Sequence, residues 1–351
     1  MALATFLFLV SLLAGGGGGI LLFVSESLQP TESGAEVRFK VPRGVSSGRI
    51  AHILEDNGLI KDSTIFAYYL KYKDIGSNFQ AGEYAMSPGM PKEQIIAMLN
   101  NGEVVQPETF KFTIAEGLTV EQIANLLNGQ GQVKGDELLA LANDPTQLKA
   151  TADRKIPAFV GQIGEIEGLR YKLEGYLFPE TYEMRVESTA NDLALRLLQE
   201  LANKLGQLPE GWEEELERRD MTFHQMMTVA SLIEREVVVD QERAIVASVI
   251  YNRLNRKMPL QIDATVLYAM GEHKDTVLHV DLETDSPYNT YQNPGLPPGP
   301  IASPSLSALK AALYPEETKY LYYVTKKDGS QEHLFAETFQ QHQQNITKSK
   351  Q

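Results

Sequence analysis

Between Val37 and Leu127 the chain repeats one pattern three times, and that repeat limits its fold more than any other feature. Gly44-Val45-Ser46 is followed by Ile50-Ala51 and Ile53-Leu54. Gly89-Met90-Pro91 is followed by Ile95-Ile96 and Met98-Leu99, and Gly117-Leu118-Thr119 by Ile123-Ala124 and Leu126-Leu127, at the same spacing. The apolar pairs recur at helical intervals, so each unit predicts a short amphipathic helix. The glycine makes the tight turn, and Ser46 or Thr119 can accept a hydrogen bond from an unpaired amide of the first turn. Val37-Arg38-Phe39-Lys40-Val41 and Phe110-Lys111-Phe112-Thr113-Ile114 alternate as half-buried strands do. Strand, turn, cap and helix in succession predict an α+β chain.

The remaining composition narrows what such a chain can do. Hydrophobic residues make up 43% and charged residues 22%, enough for a real core. The net charge of -14 argues against nucleic acid, whose phosphates need a basic surface. There is no cysteine, which excludes disulfides, thiolate metal sites and cysteine nucleophiles. His52, His224, His273, His279, His333 and His342 lack the HExxH-type spacing of a zinc hydrolase, so neither a metal nor a cofactor is expected.

Met1 to Val24 carries no ionisable side chain. About 20 apolar residues span a bilayer, so this stretch predicts one uncleaved transmembrane helix despite Gly15 to Gly19. A cleaved signal peptide fits less well, because no Lys or Arg precedes the apolar run. Residues 25–35, with Pro30, Ser33 and Gly34, read as a linker.

Further on, Leu173 to Tyr182 crowds aromatics around Glu174, Gly175 and Pro179. Pro179 forbids a helix interior there, so a strand or turn is expected. Its Tyr176, Phe178 and Tyr182 either display rings to a ligand or fill the core. Asn191 to Gly206 predicts an amphipathic helix, and Pro209 to Asp220 is acidic.

Asp220-Met221-Thr222 then opens a helix, with Gln225 completing a capping box. Met226, Ala230, Ile233 and Val237 define its expected buried face. Glu234 falls one residue past that face, beside Met227, Ala230 and Ser231. A carboxyl at an apolar edge is disfavoured in its charged form, as a general acid requires. The plainer alternative pairs Glu234 with Arg235 or Arg253 on a solvated surface. A second helix follows from about Gln241 to Arg256, carrying Tyr251-Asn252-Arg253. Leu260 to Asp263 predicts a short strand, with Asp263 capping the helix from Ala264 to Met270. Ser286 to Tyr291 and the proline-rich Gly295 to Ile301 predict a rigid loop that carries Tyr, Asn and Thr. Leu306 to Leu313 predicts a helix, and Tyr320 to Val324 pairs with His333 to Phe335 in a hairpin. A polar helix closes the chain from Glu337 to Lys350.

These stretches, in this order, resemble the endolytic murein lytic transglycosylases, the MltG or YceG-like family. The resemblance is carried by Ala230-Ser231-Leu232-Ile233-Glu234-Arg235-Glu236, Leu173 to Tyr182, Val249 to Leu254, Leu260 to Tyr268, Ser286 to Tyr291, Gly295 to Pro304 and His333 to Phe335. The repeated βα units likewise resemble the LysM pattern of small cell-wall-binding domains. The organisation this implies is a transmembrane helix over residues 1–24, a linker over 25–35, and LysM-like units over 36–107 and 108–160. An α+β catalytic domain over 161–345 and a tail over 346–351 complete it.

The resemblance implies cleavage of the β-1,4 bond between MurNAc and GlcNAc in peptidoglycan, leaving a 1,6-anhydro end. It matches Glu234 to the essential acid, which would protonate the glycosidic oxygen and then take the proton from the MurNAc 6-hydroxyl. Because that nucleophile belongs to the substrate, a second catalytic carboxylate is not obligatory. Glu174, Tyr176, Ser231, Tyr251, Asp263, Asn289 and Tyr291 are the expected substrate-binding residues. Glu236 lies about 200° around the helix from Glu234 and is read as a structural partner. The implied partners are nascent glycan strands and the cell-wall synthases (penicillin-binding proteins). The implied place is the bacterial cytoplasmic membrane, with the catalytic domain outside. The alternatives are a muramidase using Asp263 or Glu174 as its second carboxylate, and a non-catalytic wall-binding scaffold.

Overall fold

The structure is a computed structural model that describes residues 22–131, 133–271, 274 and 277–350. Most of the expected membrane segment and His273 therefore lie outside the described residues. Among those described, no helix is long and apolar enough to cross a membrane. The chain forms two compact units that divide between Pro107 and Glu108.

The first unit runs β1 (Val37–Val41), α1 (Ser47–Asp56), α2 (Ser63–Tyr72), β2 (Gly82–Met86) and α3 (Lys92–Asn101). β1 and β2 pair antiparallel with Phe39 opposite Tyr84. One face of the pair packs Phe39, Val41, Tyr84 and Met86 onto Ile50, Leu54, Phe66, Leu70, Ile95 and Leu99. Ser46 caps α1 as expected, accepting from Arg49 N at 3.3 Å. Gly44, Gly89 and Gly117 adopt φ of +73°, +92° and +77°, the left-handed region that a Cβ disfavours. That shared backbone geometry is why the same residue recurs at the same place in each repeat.

The second unit begins with β3 (Thr109–Thr113), α4 (Val120–Gly129) and α5 (Gly135–Asn143). It continues through β4 (Thr181–Arg185), α6 (Ala190–Leu205), α7 (Trp212–Arg218), α8 (Phe223–Glu236) and α9 (Arg243–Asn255). α10 (Asp263–Met270), α11 (Leu306–Leu313), β5 (Tyr322–Thr325), β6 (His333–Ala336) and α12 (Phe339–Lys348) finish it. β3 pairs antiparallel with β4, Phe112 facing Tyr182, and the two rings stack at 5.5 Å. The expected boundary at residue 160 thus falls between two paired strands of one core. The strand-helix-helix-strand order of the first unit recurs in β3, α4, α5 and β4, with a long segment before the last strand.

Three local expectations change. Tyr176, Phe178 and Tyr182 are 0%, 3% and 1% exposed, so these aromatics fill the core and display nothing. Leu260 to Ile262 forms no strand, and Asp263 begins α10 with its cap one residue earlier, at Ile262. α8 does carry the predicted capping box of Thr222 and Gln225. However, every residue from Met226 to Ile233 is buried, on all sides of the helix. A helix enclosed all round has no solvated face, so the polar residues of its last turn must find partners in the protein.

Candidate active site

The last turn of α8 sends two carboxyl groups into different surroundings. Glu234 is held on both oxygens. Arg243, the first residue of α9, donates from Nη1 to Oε2 and from Nη2 to Oε1, each at 3.1 Å. Ser305, which caps α11, donates its backbone N–H to Oε2 at 2.9 Å and its hydroxyl to the same oxygen. The Glu234 and Arg243 side chains are only 6% and 8% exposed. Neither expected partner takes part: Arg235 donates to Gly117 O at 3.0 Å, and Arg253 donates to the carbonyls of Leu321 and Leu260 at 2.6 and 2.7 Å. Glu234 is therefore not at an apolar rim. It is one half of an enclosed ion pair.

Glu236 ends α8 on the other side. It accepts one hydrogen bond, from the Tyr323 hydroxyl at 2.7 Å. Part of its surface remains open, yet it is crowded enough that desolvation pushes its carboxyl above the usual range. Asp263 nearby adds to that shift, while the Tyr323 hydrogen bond, His333 and Arg235 oppose it. Tyr323 stands edge-on to His333 at 5.3 Å, and His333 Nδ1 lies 2.6 Å from Glu242 Oε2. Arg253 stacks over Tyr322 at 5.2 Å. At the open side, the Tyr291 hydroxyl donates to Asp263 Oδ1 at 2.5 Å. This leaves a carboxyl raised above its ordinary value beside the exposed Asp263 and a phenol, a set able to give and take protons at a sugar oxygen.

Of the expected substrate-binding residues, only Asp263 and Tyr291 reach this place. Glu174 is 0% exposed, and no sugar can touch it. Its oxygens accept from Val120 N and the Tyr268 hydroxyl, both at 3.0 Å, and burial pushes its carboxyl up to about 8. Tyr176 and Ser231 are likewise 0% exposed. Tyr176 bonds His224 Nδ1 at 2.9 Å, and Ser231 Oγ donates to Thr228 O at 2.7 Å while accepting from Ile301 N at 3.0 Å. Tyr251 donates to Ala312 O at 2.6 Å. Asn289 is 0% exposed and braces its own loop, donating to Leu282 O and Thr284 O at 3.0 and 2.9 Å. Its Oδ1 accepts from Tyr291 N at 3.0 Å, so it aims the loop that carries Tyr291. These five residues build the scaffold because their polar atoms are already bonded within the protein.

The sequence reading missed Arg243, Ser305, Tyr323 and Glu116. Glu116 is exposed on the loop before α4; desolvation raises its carboxyl, and the nearby Glu234 adds to this. That loop is tied to the Ser303 strand of chain by Gly117 N to Ser303 O at 2.9 Å and Ser303 N to Leu118 O at 2.8 Å. Only the proximity of the capped glycine turn to the Glu-rich helix motif could have hinted at it, and proximity in space is not written in the sequence. A cavity of about 1110 Å³ opens at the opposite end of α8, lined by Phe159, Phe223, His224, Tyr251 and Pro298. Its lining on α8 runs from Phe223 to Thr228, about 12 to 20 Å along the helix axis from Glu236 by the 1.5 Å rise per residue, too far to hold the reacting bond. Among the described residues no cluster of metal-ligating side chains occurs.

Comparison with known proteins agrees along nearly the whole chain. The model of the YceG-like family matches residues 39–348. The endolytic murein transglycosylase of Bacillus subtilis (strain 168) is 39% identical over 330 residues, covering 93% of this chain and 88% of that protein. The protein of the same name from Streptococcus pneumoniae serotype 2 is 34% identical over 339 residues, covering 91% of this chain and 60% of that protein. The 2.6 Å crystal structure of a YceG-like protein from Listeria monocytogenes is 36% identical, with a TM-score of 0.57. It covers 88% of this chain and 98% of its own. The chain belongs to the YceG-like family.

Proposed function

We propose that the protein is an endolytic murein transglycosylase in which Glu236 performs both proton transfers. The observation that carries this is the part-exposed Glu236 carboxyl at the end of the motif helix, bonded only by the Tyr323 hydroxyl, with the exposed Asp263 near it and its value raised by desolvation. Protonated Glu236 gives its proton to the glycosidic oxygen as the bond to the MurNAc anomeric carbon breaks. The carboxylate so formed takes the proton of the MurNAc 6-hydroxyl as that oxygen bonds to the same carbon. GlcNAc leaves with a new hydroxyl, MurNAc is left as its 1,6-anhydro form, and Glu236 is protonated again with no water consumed. Tyr323 keeps the carboxyl in place. Asp263 and Tyr291 bind sugar hydroxyls at the open side, and the Asp263 charge favours the positive charge that grows on the sugar ring.

One observation favours hydrolysis instead: Asp263 is an exposed carboxylate near the acid, as a muramidase needs. Mass spectrometry of purified glycan strands digested by the full chain separates the two. Anhydro ends support the transglycosylase; reducing ends overturn it. Glu236→Gln should abolish cleavage. If Glu234→Gln abolished it while Glu236→Gln did not, the acid would be Glu234, as the family motif first implied.

The wider organisation follows the same reading. Residues 36–107 and 108–160 are LysM-like units that hold glycan; the strand, glycine turn and capped helix that recur in β1–α1 and β3–α4 support this. Residues 1–24 span the cytoplasmic membrane once, and the linker over 25–35 leaves the catalytic residues of 161–345 outside. Residues 346–351 form a tail. There the enzyme cuts nascent strands beside the penicillin-binding proteins that make them.

A further inference from the structure

With Glu236 as the acid, Glu234 has no place in the chemistry, yet it is bonded more completely than any neighbour. Its two oxygens accept from both terminal nitrogens of Arg243 and from the amide and hydroxyl of Ser305. Arg243 Nε in turn donates to Asp240 Oδ1 at 3.0 Å, and Ser305 Oγ accepts from Ala308 N at 3.2 Å. One carboxylate thus fastens the last turn of α8, the first residue of α9 and the N-terminus of α11. Helix ends fray unless something holds them, and Glu236 is the terminal residue of α8, followed by the extended Val237.

We infer that Glu234 is a positioning residue: through Arg243 and Ser305 it fixes the end of α8 so that the Glu236 carboxyl stays under Tyr323 and in its desolvated place. This rests on Glu236 being the acid. The fork of Arg243 matches two carboxylate oxygens, a match that an amide cannot reproduce. Loosening the turn moves the acid by a fraction of a helical step, and displacements of about 1 Å can cost up to about a hundredfold in rate.

The test measures kcat, KM and the pH profile of the full-length Glu234→Gln, Ser305→Ala and Glu236→Gln variants on purified glycan strands, per mole of folded enzyme. The expected result for Glu234→Gln is a kcat lowered about tenfold to a hundredfold with KM nearly unchanged. Its alkaline limb should move to lower pH as the freed Glu236 gains water. Ser305→Ala, which keeps the Arg243 pair and so remains measurable even if the first variant fails to fold, should show the same two changes at smaller size. A purely structural Glu234 would lower the folded fraction and leave both kcat per folded enzyme and the alkaline limb at wild-type values; that result overturns the inference. An active Glu236→Gln overturns the assignment of the acid instead, and so is distinguishable.

Discussion

The two polar clusters at the end of α8 are built from the same side chain and differ in everything around it. Glu234 meets a guanidinium, an amide and a hydroxyl, all of them donors, and both of its oxygens are occupied. Glu236 meets one phenol, keeps an open side and is pushed toward its protonated form by desolvation. A carboxylate whose hydrogen-bonding capacity is filled from within the protein has nothing left to offer a ligand. One that is crowded but under-bonded is poised to exchange a proton. Completeness of bonding, more than burial alone, is the ground on which Glu236 rather than Glu234 is proposed as the acid.

The sharpest way to break that comparison is to remove each acid in turn. Glu236→Gln should lower the rate of anhydro-product formation by at least about a thousandfold, within the range general acid catalysis supplies, as read by mass spectrometry of released glycans. Glu234→Gln should act on the fold as well as on kcat. Taking the Glu234 charge from the buried Arg243, whose Nε still holds Asp240, should cost up to about 3–5 kcal/mol of stability, measured by denaturant unfolding, and Arg243→Met in the same background should recover part of it.

Glu174 extends the contrast to a carboxyl buried without any cation. Its folded-state value of about 8 stands above the ordinary 4.5, so the native chain keeps a proton that the unfolded chain releases. The stability it contributes is full below about pH 4.5 and is lost as pH rises toward about 8, by an amount on the order of a few kcal/mol. Unfolding curves at pH 5 and pH 8 should diverge more for the wild type than for Glu174→Gln, whose amide does not titrate.

Two smaller effects probe the open cluster. The alkaline limb of kcat/KM should lie above the ordinary carboxyl range, since the acid must be protonated and its group is raised. Tyr323→Phe removes a hydrogen bond that lowers the Glu236 value, so the limb should move to still higher pH. Tyr291→Phe frees Asp263 from its phenol and should reduce kcat/KM by about tenfold, in line with one lost hydrogen bond to a charged group.

How far the sequence reached follows from the range over which each feature is decided. The caps at Ser46, Thr119 and Thr222 were legible because a cap and its helix lie within four residues, and all three form. The span of α11 and the β5–β6 hairpin were legible for the same reason. The choice between Glu234 and Glu236 was not. Periodicity placed them correctly on different sides of the helix, but what faces each side comes from Ser305, Tyr323 and Asp263, tens of residues away. Glu174, Ser231 and Asn289 misled in another manner. They stand in dense, distinctive motifs, and the motif signal here records a demanding scaffold as much as a binding surface. Dense aromatic and polar residues around Leu173 to Tyr182 look the same in sequence whether they face a sugar or, as here, a core.

The paired hydrogen bonds between Gly117, Leu118 and Ser303 also bear on traffic through the enzyme. Parting those two loops would strip two amides and two carbonyls of their partners at once, so the two loops move as one. On the reading proposed above, the strand is bound at Asp263 and Tyr291, and the rigid pairing leaves the speed of the cut to the acid itself: shortening the strand should change its residence time more than the rate of cleavage.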